Sequence, residues 1–192
     1  MQQARLFLAL DLDEHVLDGL CAASARLKQT IPDANWCRRD ALHMTLRFFG
    51  EMPLASVAEI DRIARAAAAR QQPFELEARG VGAFPSLDRP RVIWAGAGAG
   101  SETVSAFATA LLGQFELAGL GREERGFVPH VTLARVKRMP HGGFDAWRAM
   151  AAGMEDRSFG TTPVDRIVLY SSELTPRGPV YAAVNTWMLG EQ

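Results

Sequence analysis

The stretch on which the reading of this chain turns is ALHMTLRFFGE, residues 41–51. Leu42, Met44 and Leu46 are apolar, and they alternate with the polar residues His43, Thr45 and Arg47. A period of two marks a half-buried strand, because successive side chains of a strand face opposite ways. One face enters a core. The other carries an imidazole and a hydroxyl about 7 Å apart, and strand parity sets Arg47 beside them. Nearly the same phrase returns at FVPHVTLARV, residues 127–136, where His130 and Thr132 alternate with Val131 and Leu133. Two of the four histidines therefore sit in one H-x-T-L pattern.

Outward from these phrases the chain repeats a scheme. ARLFLAL reads as a first strand, followed by an amphipathic helix with Val16, Leu17, Leu20, Ala23 and Leu27 on its apolar face and with Asp13 and Glu14 at its start, where the helix dipole favours anions. ANWCRR and LHMTLRFFG are strands, the second closed by Gly50, and PLASVAEIDRIARAAAAR is a helix with Pro53 near its first turn. FELEARGVGAF and RVIWAGA are strands. SETVSAFATALLGQFELAGL is a helix capped by Ser101 and ended by the glycines of GLG. PHVTLARV is a strand, GFDAWRAMAA a helix, and RSFGTTPVDRIVLYSSEL and PVYAAVNTWML closing strands. This order predicts an α+β protein of mostly antiparallel sheet with helices on its outer faces. The comparable positions of the two phrases hint at an internal duplication.

The composition narrows the function. With 192 residues, 48% hydrophobic and 22% charged, the chain suits one globular domain, residues 1–192. No apolar run approaches the roughly 20 residues of a membrane helix, so no membrane association is expected. LFLAL is too short for a signal-peptide core, and a cytoplasmic setting follows. Cys21 and Cys37 form no C-x-x-C pair and read as reduced, buried thiols. A net charge of −1 disfavours a protein that grips long nucleic acid, which needs a basic surface. It permits a small anion or the end of a nucleic acid.

If the two phrases lie side by side about a pseudo-two-fold axis, one groove holds two imidazoles and two hydroxyls. At neutral pH one imidazole can accept a proton while the other donates, and the hydroxyls can hydrogen-bond a phosphate. In-line displacement at phosphorus needs such a base and acid on opposite sides. The bland alternative is a pair of solvent-facing strand histidines with cross-strand neighbours. A metal centre is poorly served, because hydroxyls are weak ligands and neither phrase contains a carboxylate or thiolate. No metal or cofactor is expected. His15, on the polar side of the first helix, and His141, in the turn MPHGG, read as structural.

LHMTLRFFGE and FVPHVTLARV resemble the paired signatures of the two-histidine (2H) phosphoesterases, in the branch of the RNA 2′,3′-cyclic phosphodiesterases, or 2′-5′ RNA ligase-like proteins. RLFLALDLDE, GVGAFPSLDRPRVIWAGA and VDRIVLYSSELTPRGPVY extend the likeness over nearly the whole chain. The resemblance implies two intertwined, pseudo-symmetric lobes with the groove between them. It implies His43 and His130 as the catalytic pair; the sequence does not distinguish acid from base, and our reading takes His43 as general acid and His130 as general base. Thr45 and Thr132 would hold the phosphate with Arg135, Phe48 would stack on a base, and Arg47 is a further candidate. The implied reaction opens a terminal 2′,3′-cyclic phosphate of RNA to a 2′-phosphate in a metal-independent monomer, with weak reverse ligation. Val128 departs from the branch, which often has a basic residue there. The same parts would serve a hydrolase of small cyclic nucleotides or of ADP-ribose cyclic phosphate. A non-catalytic nucleotide-binding module would be marked by the loss of a histidine, and both are present.

Overall fold

The computed structural model describes every residue except Met1, Arg125, His141, Arg177 and Gln192, so the turn assigned to His141 lies outside the described residues. Nine strands form one antiparallel sheet among those described. They are β1 (Gln3–Leu10), β2 (Asn35–Trp36), β3 (Met44–Pro53), β4 (Phe74–Phe84), β5 (Val92–Ala97), β6 (His130–Arg135), β7 (Ser158–Val164), β8 (Arg166–Thr175) and β9 (Gly178–Met188). Four helices pack on the sheet: α1 (Glu14–Leu27), α2 (Val57–Arg70), α3 (Ser101–Leu117) and α4 (Gly143–Ala152).

The strand order is β7-β4-β5-β6-β3-β1-β8-β9, with β2 beside β6. The two strands carrying the repeated phrase therefore meet at the middle. From β3 the sheet runs outward through β1, β8 and β9, and from β6 through β5, β4 and β7. Two of the helices cross between these halves. α1 follows β1 yet packs on β6 and β7, and α3 follows β5 yet reaches β3. One buried cluster accordingly joins Leu8, Leu46 and Ile60 to Ile93, Leu133 and Phe159.

The apolar spacing explains the elements. Val16, Leu20, Ala23 and Leu27 recur every three to four residues on α1 and are all buried, whereas Leu17 is half-buried. β1 lies between β3 and β8, so Leu6 to Leu10 are buried without interruption, as in a strand covered on both faces. α3 ends as its glycines predict. Gly119 takes φ 73°, the Leu120 N–H donates to Phe115 O at 2.9 Å, and the Gly119 N–H donates to Glu116 O at 3.0 Å.

Four expectations about element ends change, the first at Pro53, which ends β3 while α2 begins only at Val57. β3 does not stop at Gly50: that residue takes φ 76° and the strand continues to Pro53. α3 starts at Ser101, but its cap is Gly100 at φ 82°, and the Ser101 side chain makes no capping bond. ANWCRR supplies only the two residues of β2, because Arg39–Ala41 turn into a short 3₁₀ helix.

Candidate active site

β3 and β6 pair antiparallel with Met44 opposite Val131. One step along either strand, this register sets His43 against Thr132 and Thr45 against His130. All four lie on the face opposite Met44 and Val131, which are almost wholly buried. The alternation read from the sequence is thus correct as far as the threonines.

Beyond the threonines both strands bulge. Across from β1, Thr45 pairs with Ala9 and Arg47 with Leu8, so Leu46 is the extra residue. Across from β5, Thr132 pairs with Trp94 and Ala134 with Ile93, so Leu133 is the extra residue. A bulge of one residue inverts the facing of everything after it. Leu46 and Arg47 both turn inward, as do Leu133 and Ala134, and Phe48 and Arg135 return to the groove face as counterparts.

This overturns the placement of Arg47. It is only 6% exposed and turns away from the groove. Its Nη1 donates to Glu123 Oε2 at 3.0 Å and its Nη2 to Leu120 O at 3.5 Å, which ties β3 to the segment after α3.

His43, Thr45, Thr132, Arg135 and Phe48 line a groove of about 680 Å³. His130 stands beside its wall, half-buried, with its ring edge-on to Phe84 at 5.0 Å. The His130 Nδ1–H donates to Val128 O at 2.8 Å, because a carbonyl can only accept. Its Nε2 is thereby left with the lone pair. The residue that departs from the branch pattern, Val128, thus contributes its backbone oxygen, and its side chain is exposed. The Nε2 of His43 lies 2.9 Å from Thr45 Oγ1, and the backbone of Ala41, two residues before it, acts to raise its pKa.

Burial dominates the electrostatics. Dense protein around His43 pushes its imidazole down to about 4; the Ala41 hydrogen bond and the Asp11 charge oppose the shift, and His130 adds slightly to it. His130 is also lowered, first by burial and then by Arg135, against its bond to Val128. Both rings are therefore neutral near pH 7, and they are close enough to sense one another's charge.

Sequence reasoning missed the aromatic box around His43. Phe7 stacks on the imidazole at 4.8 Å and 26°, and Tyr181 meets it edge-on at 5.4 Å and 82°. Tyr170 stacks in turn on Phe7 and donates its hydroxyl to Asp11 Oδ1 at 2.6 Å. It also missed Arg5, whose guanidinium lies 4.8 Å from the Phe48 ring centre. The sequence signal was the alternation of Arg5 and Phe7 in RLFLAL, hidden because Leu6 to Leu10 read as uniformly apolar. Cys37 is half-buried in the groove wall; neither it nor Cys21 is in a disulfide. His15 is exposed on α1, 3.8 Å from Asp13. Among the described residues no three of His, Cys, Asp and Glu cluster as metal ligands would, and no helix is long and apolar enough to cross a membrane.

Two imidazoles lowered by burial thus share the face of two hydroxyls at the centre of the sheet, an arrangement with the groups needed to move protons beside an anion. Residues 16–176 match the profile of the 2′-5′ RNA ligase superfamily, and the chain belongs to that family. It is similar to an RNA 2′,3′-cyclic phosphodiesterase of Methanothermobacter thermautotrophicus, 33% identical over 97% of this chain and 100% of that protein. A protein of the same name from Aeropyrum pernix is 37% identical over 80% of this chain and 81% of its own length. Among solved structures, TT0787 of Thermus thermophilus superposes with a TM-score of 0.78 at 31% identity, covering 97% of this chain and 98% of that one. E. coli LigT complexed with 3′-AMP shares the fold at a TM-score of 0.77 and 23% identity, over 98% and 99% of the two chains.

Proposed function

We propose that this protein is an RNA 2′,3′-cyclic phosphodiesterase, a hydrolase that opens a terminal cyclic phosphate to a 2′-phosphate without a metal. The observation that carries the reading is the pair of imidazoles, both lowered by burial, on two central strands whose threonines share their face. Relatives named for this activity over nearly the whole chain support the substrate.

In the proposed reaction the cyclic phosphate is held by Thr45, Thr132 and Arg135. His130 takes the proton of the attacking water, and His43 gives a proton to the departing 3′-oxygen. The assignment follows burial. His130 is the less enclosed ring, and its Nε2 holds the lone pair that a base needs. His43 is the more enclosed, and an anion beside it repays the desolvation of an imidazolium best where the surroundings are least polar. The substrate phosphate therefore raises His43 from about 4 towards the range in which it can donate. Microscopic reversibility gives the same site a weak capacity to join a 2′-phosphate end to a hydroxyl end. Phe48, 45% exposed in the groove, offers a stacking face to the terminal base. The protein acts as one functional unit of two lobes, a monomer in the cytoplasm.

The test is a hydrolysis panel of 2′,3′-cyclic mononucleotides, oligonucleotides with 2′,3′-cyclic ends and 3′,5′-cyclic nucleotides, with products assigned by phosphorus NMR. Cleavage of the first two to 2′-phosphates is expected. Products that are 3′-phosphates, or turnover confined to the 3′,5′-cyclic compounds, would overturn the reading.

A further inference from the structure

We propose that the groove contains a second anion site, formed by Arg5 and the Tyr181 hydroxyl, which takes the 5′-phosphate of the nucleotide whose cyclic phosphate lies between the histidines. The proposal rests on the phosphodiesterase reading and extends it to how much of the RNA end is held.

The first observation is charge. The protein carries a net −1, yet among the described residues the groove wall holds Arg5, Arg38, Arg135 and Lys137 and no aspartate or glutamate, and Arg38 is paired with Asp40 beside it. Arg5, Arg135 and Lys137 have no carboxylate within ion-pair distance among the described residues. Most of the arginines on the outer faces do have one, such as Arg62 with Glu59 and Arg65 with Asp61. Unpaired cations gathered in a cleft of low dielectric concentrate their field on whatever anion enters.

The second observation is distance. The cyclic phosphate is met by groups on β3 and β6 at the level of Thr45, whose partner on β1 is Ala9. Arg5 lies four residues further along β1, a rise of about 13 Å. Its backbone is opposite Glu51, and its side chain folds back over Phe48. Its backbone is set well along the groove from the threonines, and its guanidinium covers one face of the ring proposed to stack the base. The other end of the terminal nucleotide is what remains for it to hold.

The third observation is Tyr181. Its ring edge rests against His43 and Phe7, and the residue lines the groove. The phenol is raised by burial and so stays a hydrogen-bond donor, while Arg135, Arg5 and Arg38 all act electrostatically on it. Arg5, Arg38, Arg135 and Tyr181 all line the same groove. Arg38 also reaches Pro179 O, two residues before Tyr181, at 3.5 Å. The Tyr181 ring centre lies 5.4 Å from that of His43.

The experiment has a binding arm and a turnover arm. Titration calorimetry at fixed ionic strength compares adenosine 2′-phosphate with adenosine 2′,5′-bisphosphate. A charge-assisted contact of this kind predicts about tenfold tighter binding of the bisphosphate. That gain should shrink to under about threefold in Arg5→Gln and in Tyr181→Phe, with Arg62→Gln on the outer face of α2 keeping it. Circular dichroism establishes that each variant is folded. Equal affinities in the unaltered protein, or a gain that survives both groove variants, overturn the second site. In the turnover arm, adenosine 2′,3′-cyclic phosphate is compared with and without a 5′-phosphate, and a matching rise in kcat/KM is expected. If neither compound is cleaved, the phosphodiesterase reading falls, while the affinity ratio still decides the second site.

Discussion

At the residue scale the two histidines differ in surroundings more than in position. His43 is boxed by Phe7 and Tyr181 and lies lower in pKa, and His130 is held by one carbonyl beside Phe84. If each transfers one proton, His43→Ala and His130→Ala should each lower kcat by at least about 10³-fold, equivalent to about 4 kcal/mol of barrier. Near-normal turnover of either folded variant contradicts the mechanism. The pH profile follows from the same shifts. Reaction needs one proton on the pair, and in the free enzyme both imidazoles are depressed, His43 to about 4 and His130 to below 6.5. The kcat/KM profile should therefore peak between those values and fall about tenfold per pH unit above neutrality, as the last proton leaves. A kcat/KM that climbs from pH 6 to 8 would exclude a pair with these pKa values. The profile of kcat should lie at higher pH, because bound phosphate favours the imidazolium.

At the element scale the bulges at Leu46 and Leu133 build the groove. Strict alternation, which is all that a sequence pattern offers, puts Arg47 and Ala134 beside the threonines and buries Phe48 and Arg135. The structure does the reverse in both halves. The cause lies in the neighbouring strands: β1 and β5 fix the register, and a sequence window on β3 or β6 contains no trace of it. Arg47 is accordingly a structural residue joined to Glu123 and Leu120. Arg47→Ala should lower stability by about 1–3 kcal/mol in urea unfolding, with KM and kcat unchanged in the folded fraction. A raised KM at unchanged stability would return Arg47 to the site. The supports behind His130 also belong to this scale. Phe84 meets the His130 ring and Trp94, and Trp94 lies over Gly82, where an added Cβ would come within 2.2 Å of the indole. Gly82→Ala should move this stack, so that kcat falls at least about tenfold while the far-UV spectrum is retained.

At the scale of the whole molecule, near-neutral net charge and a basic groove coexist because the groove wall gathers Arg5, Arg38, Arg135 and Lys137 while ion pairs such as Arg62–Glu59 and Arg65–Asp61 lie on the outer faces. Two phosphates held in the groove release few counterions. The logarithm of the affinity for a dinucleotide end should fall with the logarithm of salt at a slope of about −1.4, and lengthening the RNA beyond two nucleotides should leave KM unchanged. A slope that steepens with every added nucleotide would reveal a basic track outside the groove. Activity should also survive exhaustive chelation, since hydroxyls and two imidazoles make a poor cation site. Loss in EDTA restored by one divalent ion would contradict that.

The sequence alone determined the elements and the residue types on which the proposed chemistry rests. Period-two and period-3.6 patterns located the main strands and the four helices because burial of one face is a local property of a strand or helix. The repeated H-x-T-L located both histidines and both threonines because the first residues of each phrase alternate without interruption. Tertiary structure decided the rest. That β3 and β6 meet at the centre depends on pairing residues 87 positions apart in the chain, Met44 with Val131, which no local window encodes. The facing of Arg47, Phe48 and Arg135 was set by register against a neighbouring strand. Arg5, Phe7 and Tyr181 entered the site only through long-range contacts: β1 runs between β3 and β8, and β9 folds back beside β8. Local sequence fixes which face of a strand is apolar; which strand lies next to it, and by how many residues it is shifted, is settled only when the whole sheet closes around its core.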